Sequence, residues 1–594
     1  MRVRLALTVT AVLLLGLLPE GAGASVGPAG RVQAQGVARF PARARLRPPA
    51  IPLRSMNPAA LRAAKRRAAL RAGRSAQPSG PFSSQPRIGV FEGLNKPGLT
   101  APESDDATPP DTTGAVGPNH YIETVNSAIA VYSRTTLSRL AGPITNEQFM
   151  GTPGGTDFVS DPQMQWDQQS GRWFYLGVAI AGDGLGGAPG PNYVVFGFSK
   201  RSDPGNLGSD WCHYSLPSGS SNGQNLLDDY PKLGHDDRRL VFGTNVINES
   251  NDFLTARIWS LPKPGPGTIG GCPSPPTATT FGSPGSPLTT SDGNNAATPV
   301  PANTANSQAS TYVVAADDAS DGGPHNQIMA WHVAGAAGSP SLIRDGNINV
   351  STFIVPRTAD QPGPPIDTLD GRLTTAVASV ERSAPGQEAV WTQHTVDPGD
   401  NSVVVRWYEL LPSSRTRRQQ GRISTSGGDT YNAAISPAAT GDVATVNYNV
   451  SSPTLAPEIR ARVRTPANGL GSLGPETTLG TSDAPAVDDG CDPVFGCRWG
   501  DYAGASPDPS SSSLVWGSNQ LTGPPQGSAG FQWLTRNFAL MPTGRPPTAS
   551  IAGPASVAKG GTAVLDGSGS TSDGRIVDYG WDLDGDGTFE TDTG

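Results

Sequence analysis

Six times in this chain an aspartate opens the same kind of block: the acid, an apolar strand, a polar turn and a second apolar strand. The clearest copy is DPQMQWDQQSGRWFYLGVAI, from Asp161 to Ile180, and the others begin at Asp111, Asp229, Asp370, Asp429 and Asp501. The starts lie 50, 68, 141, 59 and 72 residues apart, and the 141-residue gap has room for one more unit, near Thr298–Ala315, that lacks the aspartate. Degenerate repeats of this length, built of strands, predict an all-β chain folded as a β-propeller. Seven blades are expected; six is the alternative, if the Asp111 and Asp501 units share one closed blade.

The second unit shows the pattern in full. The runs QMQW, WFYLGVAI, YVVFGFS and WCHYSL between Asp161 and Pro217 are four strands, the number in one blade. Tryptophans recur late in the second or third strand of the units: Trp173, Trp259, Trp331, Trp391, Trp407 and Trp516. Rings of that size suit the wedge-shaped space between splayed sheets; stacking on a sugar is the competing role for one or two of them. Gly and Pro cluster between units, notably over Pro262–Asn295, which reads as surface loop.

The ends of the chain differ from the middle. Arg2 and Arg4, the apolar run Leu5–Leu18 and Ala22-Gly23-Ala24 read as a signal peptide over 1–24. Residues 25–104 read as a disordered Pro/Ala/Arg-rich segment, with a short helix over Pro58–Ala72 capped by Asn57. From Ser25 to Val90 there are 13 basic residues and no acid, whereas the rest of the mature chain sets 28 basic residues against 50 acidic ones. Such an arm suits an acidic polymer or a membrane surface, or is a plain linker; its aromatics, Phe40 and Phe82, are not interleaved with the charges, so nucleic acid is not expected as a partner. No later segment is apolar enough to span a membrane. Four cysteines in an exported chain pair as Cys491–Cys497 and Cys212–Cys272. Neither pair has the C-x-x-C spacing of a metal site.

The stretches PPDTTGAVGPNHYIETVN, SDPQMQWDQQSGRWF, DYPKLG and CRWGDYAG resemble a family of bacterial exported proteins expected to form propellers. The resemblance covers about 105–541, and it implies a fold and an export route but no reaction. Residues 546–594 resemble the start of a PKD (polycystic-kidney-disease-type) domain, an immunoglobulin-like sandwich, in LDGSGSTSDG (Leu565–Gly574) and WDLDGDG (Trp581–Gly587). Such a module needs about 80–100 residues to close two sheets, so a partial domain is expected.

Chemistry is expected where the repeats converge. The innermost strand of each blade lines the channel, so Asp111, Asp161, Asp229, Asp370, Asp429 and Asp501 should meet at its mouth. Carboxylates gathered there need a cation such as Ca²⁺, arginine partners or backbone N–H donors. Arg172, Arg372 and Arg498 are the candidate partners. The plainer reading is that each Asp accepts hydrogen bonds in its own turn. Asp582, Asp584 and Asp586 have the spacing of the first three ligands of an EF-hand loop, but Thr593 stands where its closing Glu belongs, leaving a weak Ca²⁺ site or an acidic turn. The histidines form no metal-hydrolase pattern, and GSSNG (Gly219–Gly223) lies in a Ser/Gly-rich loop with no helix pattern after it. These features together predict an exported or cell-surface monomer that binds or adheres to extracellular polysaccharide or a surface protein, with no catalytic residue assigned. The alternatives are a glycan-active hydrolase or lyase using Asp161 and Asp229, and a structural envelope protein.

Overall fold

The computed structural model describes residues 2–6, 53–72, 90–100, 108–182, 190–290, 293–306, 308–380, 386–488, 491–523, 532–542, 550–554, 558, 564–570, 578–582 and 591–593. Its body is a seven-bladed β-propeller. In order from the axis outward, blade one is built of Thr113–Val116, His120–Val125, Ala128–Ser133 and Arg139–Thr145, and blade two of Phe158–Asp167, Arg172–Ile180, Tyr193–Ser199 and Trp211–Pro217. Blade three has Gln224–His235, Arg239–Asn248, Phe253–Pro262 and Thr279–Phe281; blade four has Val300–Pro301, Thr311–Ala316, His325–Ala336 and Ser339–Phe353. Blade five follows with Thr375–Val380, Glu388–Val396, Val404–Leu411 and Thr416–Ile423, and blade six with Asp429–Pro437, Ala444–Ser452, Leu455–Arg464 and Glu476–Thr481.

Blade seven closes the ring in a way the repeats alone do not reveal. Its strands Gly504–Pro507, Val515–Thr522 and Trp533–Pro542 are completed on the outer edge by Val90–Thr100, which pairs antiparallel with Trp533–Pro542. The Asp111 and Asp501 units are therefore separate blades, and the six-bladed alternative does not hold. Innermost strands touch their neighbours all the way round, and Gly504–Pro507 packs against Thr113–Val116.

Each of the seven gaps between blades is filled by its own apolar cluster. Trp173 packs between blades one and two, Trp259 between two and three, and Trp331 between three and four. Trp391 and Trp407, stacked 6.0 Å apart, lie between five and six, and Trp516 between seven and one. All six are buried, so they hold the ring together and offer no face to a sugar.

The repeated aspartate marks a backbone feature. The pairing of the innermost strand slips between Ser160 and Gln163 in blade two, Asp229 and Lys232 in blade three, and Tyr431 and Ala434 in blade six. These are β-bulges, each with a residue in the left-handed region: Asp161 (φ 55), Tyr230 (φ 55) and Asn432 (φ 45). Asp111 has the same backbone (φ 47). The unit that lacks the aspartate carries Thr298 (φ 48) instead. Thr298 N donates to Asn245 Oδ1 at 2.7 Å, as Asp161 N donates to Asn126 Oδ1 at 3.0 Å, so the two residues occupy one repeat position.

The reading of 25–104 as disordered needs correction in two places. Val90–Thr100 is the closing strand, and Leu53–Ala72 is docked on the propeller. Within it the Pro58–Ala72 helix starts as expected, with Asn57 Oδ1 accepting from Ala60 N at 2.9 Å. Leu61, Ala64, Lys65 and Ala68 form one buried face at helical spacing. Both expected disulfides, Cys212–Cys272 and Cys491–Cys497, are present.

Most of the signal-peptide segment and much of the PKD-like segment lie outside the described residues. Arg2–Ala6 pairs parallel with Asp578–Asp582, which pairs antiparallel with Thr591–Thr593. A PKD sandwich is not shown. No helix among the described residues is long and apolar enough to cross a membrane.

Candidate functional site

Four of the six aspartates converge at one mouth of the channel, and a fifth joins them through an arginine. Asp501 N donates to Asp111 Oδ1 at 2.6 Å, and Asn126 Nδ2 donates to Asp111 Oδ2 at 2.8 Å. Arg498 bridges Asp501 (2.6 Å) and Asp367 (3.0 Å). Arg54, from the docked N-terminal segment, reaches Asp229 Oδ1 at 3.1 Å. Arg372 grips Asp370 through Nε (2.7 Å) and Nη2 (2.6 Å), and its Nη2 also donates to the carbonyl of Arg54 at 2.8 Å. Asp161 accepts from Ser160 Oγ at 3.1 Å and feels the charges of Asp229 and Asp501.

Asp429 is not part of this set. Arg357 holds both its oxygens, at 2.8 and 2.9 Å, and Asp360 N donates to it at 2.8 Å. Arg172, expected as a partner, lies elsewhere: it donates to the carbonyls of Ser199 in blade two and of Gly265 and Gly267 in the loop between the last two strands of blade three. Arg372 and Arg498 are partners as expected.

The residue that sequence reasoning passed over is Lys232. It is 2 % exposed, and its Nζ has no hydrogen-bond partner among the described residues. The ammonium sits instead between two phenol rings, 3.9 Å from the centre of Tyr230 and 3.4 Å from that of Tyr502. Tyr230 OH reaches across the channel from blade three to the carbonyl of Asp501, at 2.7 Å. The signal was present in the sequence. DYPKLG carries Asp229, Tyr230 and Lys232, and RWGDY carries Arg498, Asp501 and Tyr502.

Burial dominates the protonation of these groups. It pushes the carboxyls of Asp111, Asp161 and Asp229 up, with neighbouring carboxylates adding to the first two and Arg54 and Arg372 opposing at the third. Burial lowers Lys232, and the nearby carboxylates of Asp161, Asp111 and Asp501 resist the shift. At Asp370 burial is outweighed by Arg372, and the carboxyl titrates below the usual range.

The arrangement bears on two of the expected chemistries. Ca²⁺ asks for six to eight oxygen ligands with free lone pairs. Here Arg54, Arg372, Arg498, Asn126, Ser160 and a backbone N–H already meet both oxygens of Asp111 and Asp370 and one oxygen each of Asp161, Asp229 and Asp501. Arginine partners, one of the expected ways to hold carboxylates together, are present at Asp229, Asp370 and Asp501, and a backbone N–H from the neighbouring blade is present at Asp111. A glycosidase pair needs space for a sugar; the void bounded by Arg54, Asp161, Asp229, Tyr230, Arg372 and Asp501 is about 10 Å³, the size of one water. Farther away, Asp488 approaches Cys491 and Cys497, but both sulfurs are in the disulfide. Asp584 and Asp586 lie outside the described residues, and Asp582 ends a strand.

The opposite mouth is different. The far ends of the innermost strands open onto a cavity of about 250 Å³ lined by Trp166, Gln168, Gln169, Asp237, Asn306 and Asp508, among others. Trp166 Nε1 has no hydrogen-bond partner among the described residues, and Gln168 and Gln169 are exposed. Asp508 is fixed by Arg134 and by Trp516 Nε1 at 2.8 and 2.7 Å, and Asp167 by Lys263 at 2.8 Å.

No family model and no curated protein matches the chain. Among solved structures it is similar to the WD40 domain of SCAP from fission yeast (10 % identity, TM-score 0.32, 75 % of this chain and 97 % of that one). The ectodomain of the parainfluenza virus 5 hemagglutinin-neuraminidase matches at 9 % identity and TM-score 0.32, covering 67 % and 85 %. A GH43 endo-arabinanase from Bacillus licheniformis matches at 11 % identity and TM-score 0.26, covering 50 % and 93 %. Likeness this remote carries no argument about what the chain does.

Proposed function

We propose that the protein is an exported binding or adhesion protein that presents the open end of its propeller to an extracellular polysaccharide. One observation carries this reading: the two channel mouths are unequal, and the only large cavity described at either of them is the one opposite the aspartates. Its lining sets two exposed amides beside carboxylates, the side chains that hydrogen-bond the hydroxyls of a sugar. Both disulfides and the resemblance to exported propellers support placement outside the cell. Asp161 and Asp229 are walled in by the chain itself, which speaks against the hydrolase alternative.

The test is retention of the purified protein on a panel of immobilised polysaccharides, with release of reducing sugar followed in parallel. Retention on at least one neutral or acidic polysaccharide is expected without turnover, weakened at least tenfold in the Gln168→Ala/Gln169→Ala double variant. No retention on any member, or equal retention of parent and variant, overturns the proposal. Turnover that is lost in Asp161→Asn would restore the hydrolase.

A further inference from the structure

The aspartate mouth is closed by a piece of chain that contributes no strand to any blade. Leu53–Ala72 lies over it as an extended lead and a helix, and most of its polar contacts pair a base of the segment with an acid or carbonyl of the body. Arg54 meets Asp229 at 3.1 Å, Arg62 meets Asp492 at 3.2 Å, and Arg71 meets Asp397 at 3.4 Å. Arg67 donates to the carbonyl of Asp321 at 2.9 Å. Lys65, fully buried, donates to Thr368 Oγ1 at 2.8 Å and lies 3.8 Å from Asp367. The Arg62 guanidinium also stacks over Phe495, 4.5 Å from the ring centre.

Apolar contact completes the seat. Leu61 and Ala64 pack with Ala319, Val355 and Leu373 above blades four and five. The segment thus has the anatomy of a bound ligand: a buried apolar pair, one desolvated cation and a rim of ion pairs. Its charge matches its seat, because the stretch Ser25–Val90 carries 13 bases and no acid while the body carries the excess of acids. Covalently it is joined to the ring only through residues 73–89, a stretch of 17 that includes Arg74 and Arg87.

We propose that the aspartate mouth is a binding site for a basic helical peptide led by an arginine, filled in cis by residues 53–72 and opened when the connection at 73–89 is cut. The peptide's arginine enters beside Asp229 under the Arg372 contact, and a lysine at the Lys65 position reaches Thr368 and Asp367. A partner protein carrying a basic amphipathic helix of that pattern would compete for the same seat.

The test uses the full chain with a specific protease site placed between Arg74 and Arg87. The probe is a fluorescein-labelled synthetic peptide spanning residues 50–73, read by fluorescence anisotropy. Uncut protein should leave the probe free. Cut protein, washed through gel filtration in high salt, should bind it, and an Arg54→Ala/Lys65→Ala peptide should bind at least tenfold more weakly. Unlabelled parent peptide should displace the probe. Circular dichroism melting of the cut and washed protein keeps the reading clear. A lost propeller transition shows the segment to be an integral part of the fold and overturns the proposal. So do an intact transition without probe binding, a cut segment that neither leaves nor exchanges, equal binding of the two peptides, or equal binding by uncut protein.

Discussion

The two ends of the channel are made by the same seven strands and have opposite characters. At the aspartate end, five carboxylates are interlocked with Arg54, Lys232, Arg372 and Arg498, and the space left is about 10 Å³. At the far end the strands finish in Trp166–Gln169, Asp237, Asn306 and Pro507–Pro509, around a cavity of about 250 Å³. Charge density accounts for the difference. Carboxylates brought together out of water repel unless cations enter among them, and the cations fill the space a ligand would use. The far end carries three carboxylates, Asp167, Asp237 and Asp508, and the cations that meet two of them, Lys263 and Arg134, come from outside the cavity lining, so the space stays open. Repetition of a titratable residue around an axis is therefore a poor guide to where small molecules bind.

If the aspartate end is a closed electrostatic lock, breaking one cation should cost far more than any change at the open end. Arg498→Ala strips the guanidinium from Asp501 and Asp367, both largely buried. Leaving such charges unpaired costs about 3–5 kcal/mol. Chemical denaturation should show a midpoint lowered accordingly. A loss below about 1 kcal/mol would show that the lock does not hold the ring, since exposed pairs are worth about that much or less.

A smaller effect with a definite sign is expected from Asp161→Asn. Burial, with Asp229 and Asp501 adding to it and Lys232 and Arg54 opposing, pushes the Asp161 carboxyl up to about 7. The folded protein therefore binds more protons than the unfolded chain between the ordinary carboxylate value and about 7. Over that window the contribution of this group to stability falls as pH rises, and it remains low above it. The asparagine variant should be more stable than the parent at pH 8, by on the order of 2 kcal/mol, with the difference shrinking toward zero near pH 4. Denaturation curves at both pH values check this. A difference that is flat with pH, or grows on acidification, would mean that Asp161 is ionised and well paired.

Much of the ring could be read from the chain because its determinants are local. The bulge residue, the turn and the following tryptophan fall within one unit, and the tryptophans fill the gaps between blades as expected. The closing strand could not be read. VFEGLNKPGLT holds Gly93, Pro97 and Gly98, its pairing slips between Glu92 and Leu94 and again between Pro97 and Thr100, and its partner begins at Trp533. No period-two pattern survives such slips. At the site, the convergence of Asp111, Asp161, Asp229 and Asp501 was legible because each lies at the entry to an innermost strand, whereas Asp429, three residues before its bulge residue Asn432, is drawn aside by Arg357. The cations were not legible. Arg54 belongs to a stretch whose composition reads as linker, and Lys232 lies three residues beyond an aspartate that drew attention first. Arg172 follows its aspartate as Arg372 does, but eleven residues on rather than two, which puts it past the turn at the start of the second strand, where it meets the carbonyls of Ser199 and Gly265 instead of the aspartate mouth.

The smallest expected effect lies at the open end. Gln168 and Gln169 are exposed at the lip of the cavity; the Gln168 side chain donates to the carbonyl of Pro509, at 3.0 Å, and that of Gln169 accepts from Lys263 at 3.1 Å. Surface substitutions without a buried partner usually change stability by less than about 0.5 kcal/mol. Gln168→Ala and Gln169→Ala should each leave the denaturation midpoint within that margin at pH 4 and pH 8 alike, in contrast to both changes at the sealed end. A loss above about 1 kcal/mol for either would show that the far mouth is also held by its side chains, because only buried or networked groups have effects of that size. The inequality between the two ends would then rest on cavity volume alone.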